Sequence, residues 1–316
     1  MINYPPRGLI LRLVTPLDNE GRPDRESLGW LIQRLKKGVG AVLAGSLGIG
    51  EALSLDPKAR IDILEGSLKT LKNGPALFFE ITCLDEKGTF EILEMSESFL
   101  EGFKSETELY FFLTPLVYHS NRNLPDHLEA LGRKTGRQFI LSNNPGLVKK
   151  LTGTLRRENI RTSVLKKISS NEQIVGLEFS GDVDRAINYQ RALKGRVRFR
   201  FYDGSEENFI TQPSSSGLIS SGANLLPQAW TDIVNSSLDI FESKRMYPDY
   251  LSQIWQNGRK VKQWLDLYES NPPGFIKKAL ELQSLIPQAR MSDPAQELDP
   301  EEVNTIETLL NSLEML

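Results

Sequence analysis

The sequence predicts an α/β protein built as a (β/α)8 barrel with a C-terminal helical extension. Three observations carry that expectation. Short apolar runs alternate with segments of helical spacing, which implies a mostly parallel sheet. The apolar runs number about eight, the strand count of the barrel. The first run ends in Thr15-Pro16-Leu17, not in the glycine-rich phosphate turn that an open doubly wound sheet would want.

The elements follow in order. Leu9–Val14 reads as a strand, closed by a turn at Asp18-Asn19-Glu20-Gly21. Arg25–Lys37 places Leu28, Leu31, Ile32 and Leu35 on one helical face. Ala41–Ala44 is a short buried strand. Helix over 61–71 leads to strand over 76–82, and helix over 90–99 to strand over 109–113. Helix over 125–135 precedes strand over 139–141, and Asn143-Asn144-Pro145-Gly146 reads as a turn. Val164–Lys167 ends a helix before strand over 174–179. Helix over 184–193 leads to strand over 197–202, and 217–220 is the last strand. Beyond it only helices are expected, over 230–242, 250–268, 274–282 and 300–313. The last is opened by Asp299-Pro300-Glu301-Glu302, a good N-cap with proline in the first turn. The expected division is a barrel over 1–228 and a helical region packed on it over 229–316.

Bulk properties narrow the function. Of 316 residues, 39% are apolar and 25% charged, with a net charge of -3, so a packed core is expected and no nucleic-acid surface is. The basic cluster of Arg156, Arg157, Lys166 and Lys167 is mixed with acids and reads as a solvated helix face. No apolar run is long enough for a membrane span. The start, MINYPPRG, lacks the basic and apolar pattern of a signal peptide. The single cysteine, Cys83, excludes an internal disulfide framework and fits a reducing compartment. A cytoplasmic protein is expected. His119 and His127 are the only histidines and lack acids at ligand spacing, so neither a metal nor another cofactor is expected.

A barrel of this kind carries its site at the C-terminal ends of the strands. The polar residues there are Thr15, Ser46, Glu80, Thr82, Cys83, Thr114, Tyr118, Ser142, Asn143, Asn144, Glu178, Ser180, Tyr202, Asp203, Ser220 and Ser221. Most have structural readings as caps or turn formers. The pocket candidates are Ser46, Glu80, Tyr118, Ser142, Glu178 and Ser220. Glu178 stands out, because its neighbours Val175, Leu177 and Phe179 are apolar. An ionised group in such a strand needs a partner or a wet cavity.

Several segments also resemble the dihydrodipicolinate synthase and N-acetylneuraminate lyase family. They are Gly8-Leu9-Ile10 through Thr15-Pro16 to Asp24, Gly45-Ser46-Leu47-Gly48-Ile49-Gly50-Glu51, and Leu55-Asp56-Pro57-Lys58-Ala59-Arg60. Further on come Leu141-Ser142-Asn143-Asn144-Pro145, Gly176-Leu177-Glu178-Phe179-Ser180-Gly181-Asp182, Gly217–Asn224 with Pro227, and Asn271-Pro272-Pro273 to Leu280. Each motif alone is weak, but their order and spacing run nearly end to end. The resemblance implies class I pyruvate-type aldolases and lyases. In these a sixth-strand lysine forms a Schiff base with a keto acid, and a fifth-strand tyrosine shuttles the proton. It also implies a homo-oligomer, a dimer or tetramer.

The carry-over fails at the chemistry. Glu178 occupies the lysine position and Ser142 the tyrosine position. A carboxylate cannot form an imine. The family's double-threonine loop has become Ser46-Leu47, and its second tyrosine aligns near Val117, one step from Tyr118. An arginine common after the tyrosine motif aligns near Leu147. Lys166 and Lys167 belong to an outer helix and do not supply the missing amine. The sequence therefore favours a family member without class I aldolase or lyase activity, binding a small keto acid-like metabolite or serving as a regulatory or scaffold homologue, for instance beside an active relative. The alternative is a lyase or other enzyme with altered chemistry, using Glu178, with Glu80, as general base.

Overall fold

The computed structural model of the chain describes residues 4–116, 122–152, 158–213, 216–238 and 249–315. Eight parallel strands close into a barrel in chain order. They are β1 (Gly8–Arg12), β2 (Ala41–Ala44), β3 (Ala76–Glu80), β4 (Leu109–Leu113), β5 (Phe139–Asn143), β6 (Ile174–Phe179), β7 (Arg200–Asp203) and β8 (Gly217–Ser220). The ring shuts by the pairing of Gly8 with Gly217 through Leu11 with Ser220. A Cβ on Gly217 would lie 2.0 Å from the Gly8 carbonyl oxygen, so this seam requires glycine.

The helices α1 (Arg25–Leu35), α2 (Pro57–Thr70), α3 (Glu86–Gly102), α4 (Leu124–Gly132), α5 (Pro145–Thr152), α6 (Thr162–Ile168), α7 (Val183–Ala192) and α8 (Glu206–Thr211) connect successive strands. They are followed by α9 (Pro227–Ser237), α10 (Asp249–Tyr268), α11 (Pro272–Leu282) and α12 (Pro300–Ser312). Side-chain caps start many of them: Asp24, Asp56, Asp85 and Asp182 each accept from backbone N–H groups in the first turn. Asp299 forms a full capping box with Glu302. Helix α9 packs on β1 and β8, and the expected division at residue 228 falls one residue inside it.

Strand alternation sorts the core into two layers. Ile10, Leu43, Phe78, Phe112, Ile140, Val175, Tyr202 and Ile219 fill the barrel interior, Val175 standing outside the alternation of β6 because the pairing with β5 shifts register between Phe139 and Ile140. Leu9, Leu11, Val42, Phe79, Phe111, Leu141, Leu177 and Leu218 face the helices. Among the described residues, no helix is long and apolar enough to cross a membrane.

Three segments differ from the sequence expectation. Pro145-Gly146 opens α5 rather than closing a turn, because Asn144 Oδ1 accepts from the Leu147 N–H at 2.9 Å and proline suits a first helical position. Val197 is exposed, and β7 begins only at Arg200. Gly195, at a φ of 87°, and the Phe199 N–H bonded to the Arg196 carbonyl at 3.0 Å hold 195–199 as a turn. Helix α8 was not foreseen, since its six residues are too few for a helical pattern.

Candidate functional site at the barrel mouth

Glu178 lies on β6, in register with Ser142 on β5 and Tyr202 on β7. The next residue, Phe179, packs edge-on against Tyr189 of α7 with ring centroids 5.0 Å apart. Phe179 therefore faces the helices, and alternation turns Glu178 inward. Its partner confirms that direction. Arg12, the last residue of β1, donates from Nη2 to Glu178 Oε1 in an ion pair. Strands β1 and β6 share no edge, so the contact crosses the barrel interior. The Glu178 side chain is 2% exposed and that of Arg12 16%. Gly204, just after β7, makes room for the pair: a Cβ there would lie 2.4 Å from Glu178 Oε1.

Arg12 also feels Glu206 and Glu80. Burial pulls its guanidinium below the usual range, and these two carboxylates oppose that pull. Glu80 ends β3, where Oε1 accepts from the Thr82 backbone N–H at 3.2 Å and from its hydroxyl. Desolvation dominates there, and the Glu80 carboxyl is pushed up to about 7 despite Thr82, Arg60 and Arg12. The strand end is fixed by buried Arg60, which donates to the carbonyls of Glu80 at 2.6 Å and Thr82 at 3.0 Å. Arg60 also lies against Cys83 Sγ at 3.1 Å, and burial pushes the Cys83 thiol up.

Glu206, on α8, is an anchored carboxylate. It accepts from the Ser220 hydroxyl, from the Gly222 N–H at 2.8 Å and from the Tyr268 hydroxyl at 2.6 Å. Tyr268 ends α10, so this cluster ties the C-terminal helices to the barrel close to Arg12. Burial, followed by the Glu206 charge, raises the Tyr268 phenol far above its ordinary range.

The candidates from sequence separate accordingly. Glu80 and Glu178 are brought together around Arg12. Ser142 stands beside Glu178 and is 3% exposed. Ser220 is held by Glu206. Ser46 is used by its own loop, accepting from the Gly50 N–H at 3.1 Å. A Cβ on Gly50 would fall 2.2 Å from the Ser46 nitrogen, so the tight fold of this loop depends on glycine. Thr15 donates to the Gly50 carbonyl at 2.9 Å. Tyr118 lies outside the described residues. Tyr202 does not serve the mouth, because its hydroxyl donates to the Pro6 carbonyl at 2.6 Å, at the opposite end of the barrel. Asp203 turns toward the helix layer and accepts from the Ser205 N–H at 3.1 Å; burial pushes its carboxyl up to about 7. Asn143 holds the approach to α6, contacting Asn159 at 3.1 Å and the Ile160 N–H at 2.6 Å.

Glu51 has a structural task. It adopts a left-handed φ of 54° and pairs with the fully buried Lys277 of α11. Its other oxygen accepts from the Ser292 backbone and hydroxyl, both at 2.7 Å. Among the described residues, no group of three or more His, Cys, Asp or Glu side chains is arranged to hold a metal ion.

Arg12 is the residue that sequence reasoning overlooked. Its signal was present: a cation two positions after Ile10 in Gly8-Leu9-Ile10-Leu11-Arg12 shares the inward face of a buried strand. Glu206 and Tyr268 carried no such signal, because 62 residues separate them.

Known proteins match this architecture throughout. The model of the dihydrodipicolinate synthetase family covers residues 5–313. A 4-hydroxy-tetrahydrodipicolinate synthase from Pseudomonas aeruginosa is 24% identical over 287 residues, 89% of each chain. Among solved structures, a dihydrodipicolinate synthase from Aquifex aeolicus superposes with a TM-score of 0.80 at 17% identity, covering 98% of both chains. A prophage protein of the dihydrodipicolinic acid synthase family from E. coli K12, solved in complex with pyruvate, gives 0.80 at 19% identity over 98% of this chain and 99% of that one.

Proposed function

The chain belongs to the dihydrodipicolinate synthetase family, and from that premise we propose that it is a member without imine chemistry that binds a small keto acid-like metabolite at the barrel mouth. The observation that carries this reading is the Arg12–Glu178 ion pair, which stands where the resemblance places the Schiff-base lysine. An amine must add to the keto carbon to make the electron-withdrawing imine, and a carboxylate has no amine to add. Ser142 supplies no phenol at the tyrosine position. Arg12 keeps 16% of its side-chain surface exposed, and a guanidinium edge suits a carboxylate ligand. Glu80, pushed up to about 7, is about half neutral at pH 7, which softens repulsion toward an anion. The family resemblance further supports a cytoplasmic homo-oligomer, a dimer or tetramer, in a regulatory or scaffold role.

Two assays test this reading. Pyruvate should raise the melting temperature of the native protein, and should fail to do so in the paired Arg12→Met/Glu178→Leu variant. Pyruvate mixed with an aldehyde should not be consumed. Enzyme-dependent consumption would overturn the proposal, as would a pyruvate shift that persists in the variant.

One observation favours a second reading. Glu80 is a buried carboxyl poised near neutrality, the property wanted in a general acid or base. Glu178 is engaged by Arg12, so proton transfer without an imine falls to Glu80 in this case. A ligand-dependent proton exchange with an inflection near pH 7, abolished by Glu80→Gln, is its signature.

A further inference from the structure

A concavity lies at the end of the barrel opposite the mouth. It is a groove of about 880 Å³ between the N-terminal ends of β4, β5, β6 and β7, within the roughly 300–1,000 Å³ typical of small-ligand sites. Packing for stability is the ordinary task of this face, yet charged and amide side chains line much of the groove. Arg196 and Arg198 form the lip on the β7 side and Glu106 and Glu108 that on the β4 side, with Arg137 and Glu172 lining the groove between them. Arg196 donates to the Ser170 hydroxyl at 2.6 Å, and Arg198 rests over the Tyr4 ring at 6.0 Å. Neither has a carboxylate at ion-pair distance among the described residues. Half-buried Phe199 also lines the groove, while Tyr110 is buried and donates its hydroxyl to Glu108 at 3.3 Å.

The surroundings reinforce the sign of the arginine lip. Lys166 and Lys167 in the last turn of α6, and Arg191 and Lys194 at the end of α7, are exposed on the side from which β6 and β7 begin. These cations lie on the same side as Arg196 and Arg198 and favour an anion at that lip.

We propose that the groove binds a phosphorylated metabolite of nucleotide size. Its phosphates are held by the planar guanidinium forks of Arg196 and Arg198. Its hydroxyl or amino donors meet Glu106 and Glu108, and its ring lies beside Phe199. The site is separate from the mouth and independent of what the mouth binds. Isothermal titration of the full-length native chain with ADP tests it. Saturable binding is expected, weakened by about tenfold or more in Arg196→Ala/Arg198→Ala, where two charge-assisted contacts are lost. Glu80→Gln, at the mouth, should leave ADP affinity unchanged. The arginine variant should keep the native circular dichroism spectrum, since both arginines are exposed. Absence of ADP binding at millimolar concentration would overturn the proposal, and so would ADP affinity that the arginine variant retains.

Discussion

Arg12 and Glu178 form an ion pair across the interior of the barrel, joining two strands that share no edge. Each offsets part of the other's burial penalty, so the pair acts as a unit. Glu178→Gln removes the carboxylate paired with the Arg12 guanidinium, leaving only the more distant influence of Glu206 and Glu80, and should cost about 3 kcal/mol. Replacing both, as Arg12→Met/Glu178→Leu, should recover most of that loss, since an apolar pair of similar volume needs no charge partner. Urea titrations of the variants check both, read as midpoint shifts at constant m-value.

Glu80 gives the fold a pH dependence of definite sign. Its folded-state value of about 7 lies above the ordinary 4.5, so between these values the folded state binds the proton more strongly than the unfolded chain. The stabilisation is complete below the ordinary value and is lost as pH rises through about 7. Glu80→Gln keeps an acceptor for Thr82 and removes the titration. Relative to wild type, the variant should gain stability as pH rises from 5 to 8, by about 3 kcal/mol in all. Melting temperatures of the two proteins across that range provide the comparison. A gap that stays constant with pH would mean that Glu80 does not titrate in this window.

The same proton affects the proposed ligand. Protonation of Glu80 removes a negative charge facing Arg12, so a carboxylate ligand should bind more tightly as pH falls from 8 to 6. Pyruvate titrations at both pH values measure the effect, and Glu80→Gln should abolish it.

Buried Lys277 joins α11 to the loop after β2 through Glu51, and also donates to the Arg290 carbonyl at 2.8 Å. Lys277→Met strands the Glu51 carboxylate, although Ser292 still donates to it. The expected loss is about 3 kcal/mol, measurable by chemical denaturation. Glu51→Gln should cost less, because the neutral amide still accepts from Ser292.

Tyr268→Phe removes one of the three donors that Glu206 uses. The expected cost is about 1–3 kcal/mol. Faster amide exchange in α10 should accompany it, because this bond joins that helix to the barrel.

The barrel was legible because strand and helix periods differ and alternate along the chain. Leu109–Leu113, Ile174–Phe179 and Gly217–Ser220 are strands with the bounds expected from their apolar runs. Short elements escaped, since α8 has too few residues for a helical period to emerge. Glu80 and Glu178 were visible as carboxylates in apolar strands. What surrounds them was not, because Arg12 meets Glu178 across 166 residues. Tyr202 shows the opposite failure: it lies near the end of its strand in sequence, but its hydroxyl reaches the Pro6 carbonyl at the far end of the barrel.

Borohydride reduction in the presence of pyruvate, followed by intact mass, tests most directly whether the imine route is closed. With Glu178 at the lysine position, the protein mass should remain unchanged. A stoichiometric gain of one reduced pyruvate adduct would contradict this, showing that another lysine reaches the keto acid and that the Arg12–Glu178 pair does not displace the family's chemistry.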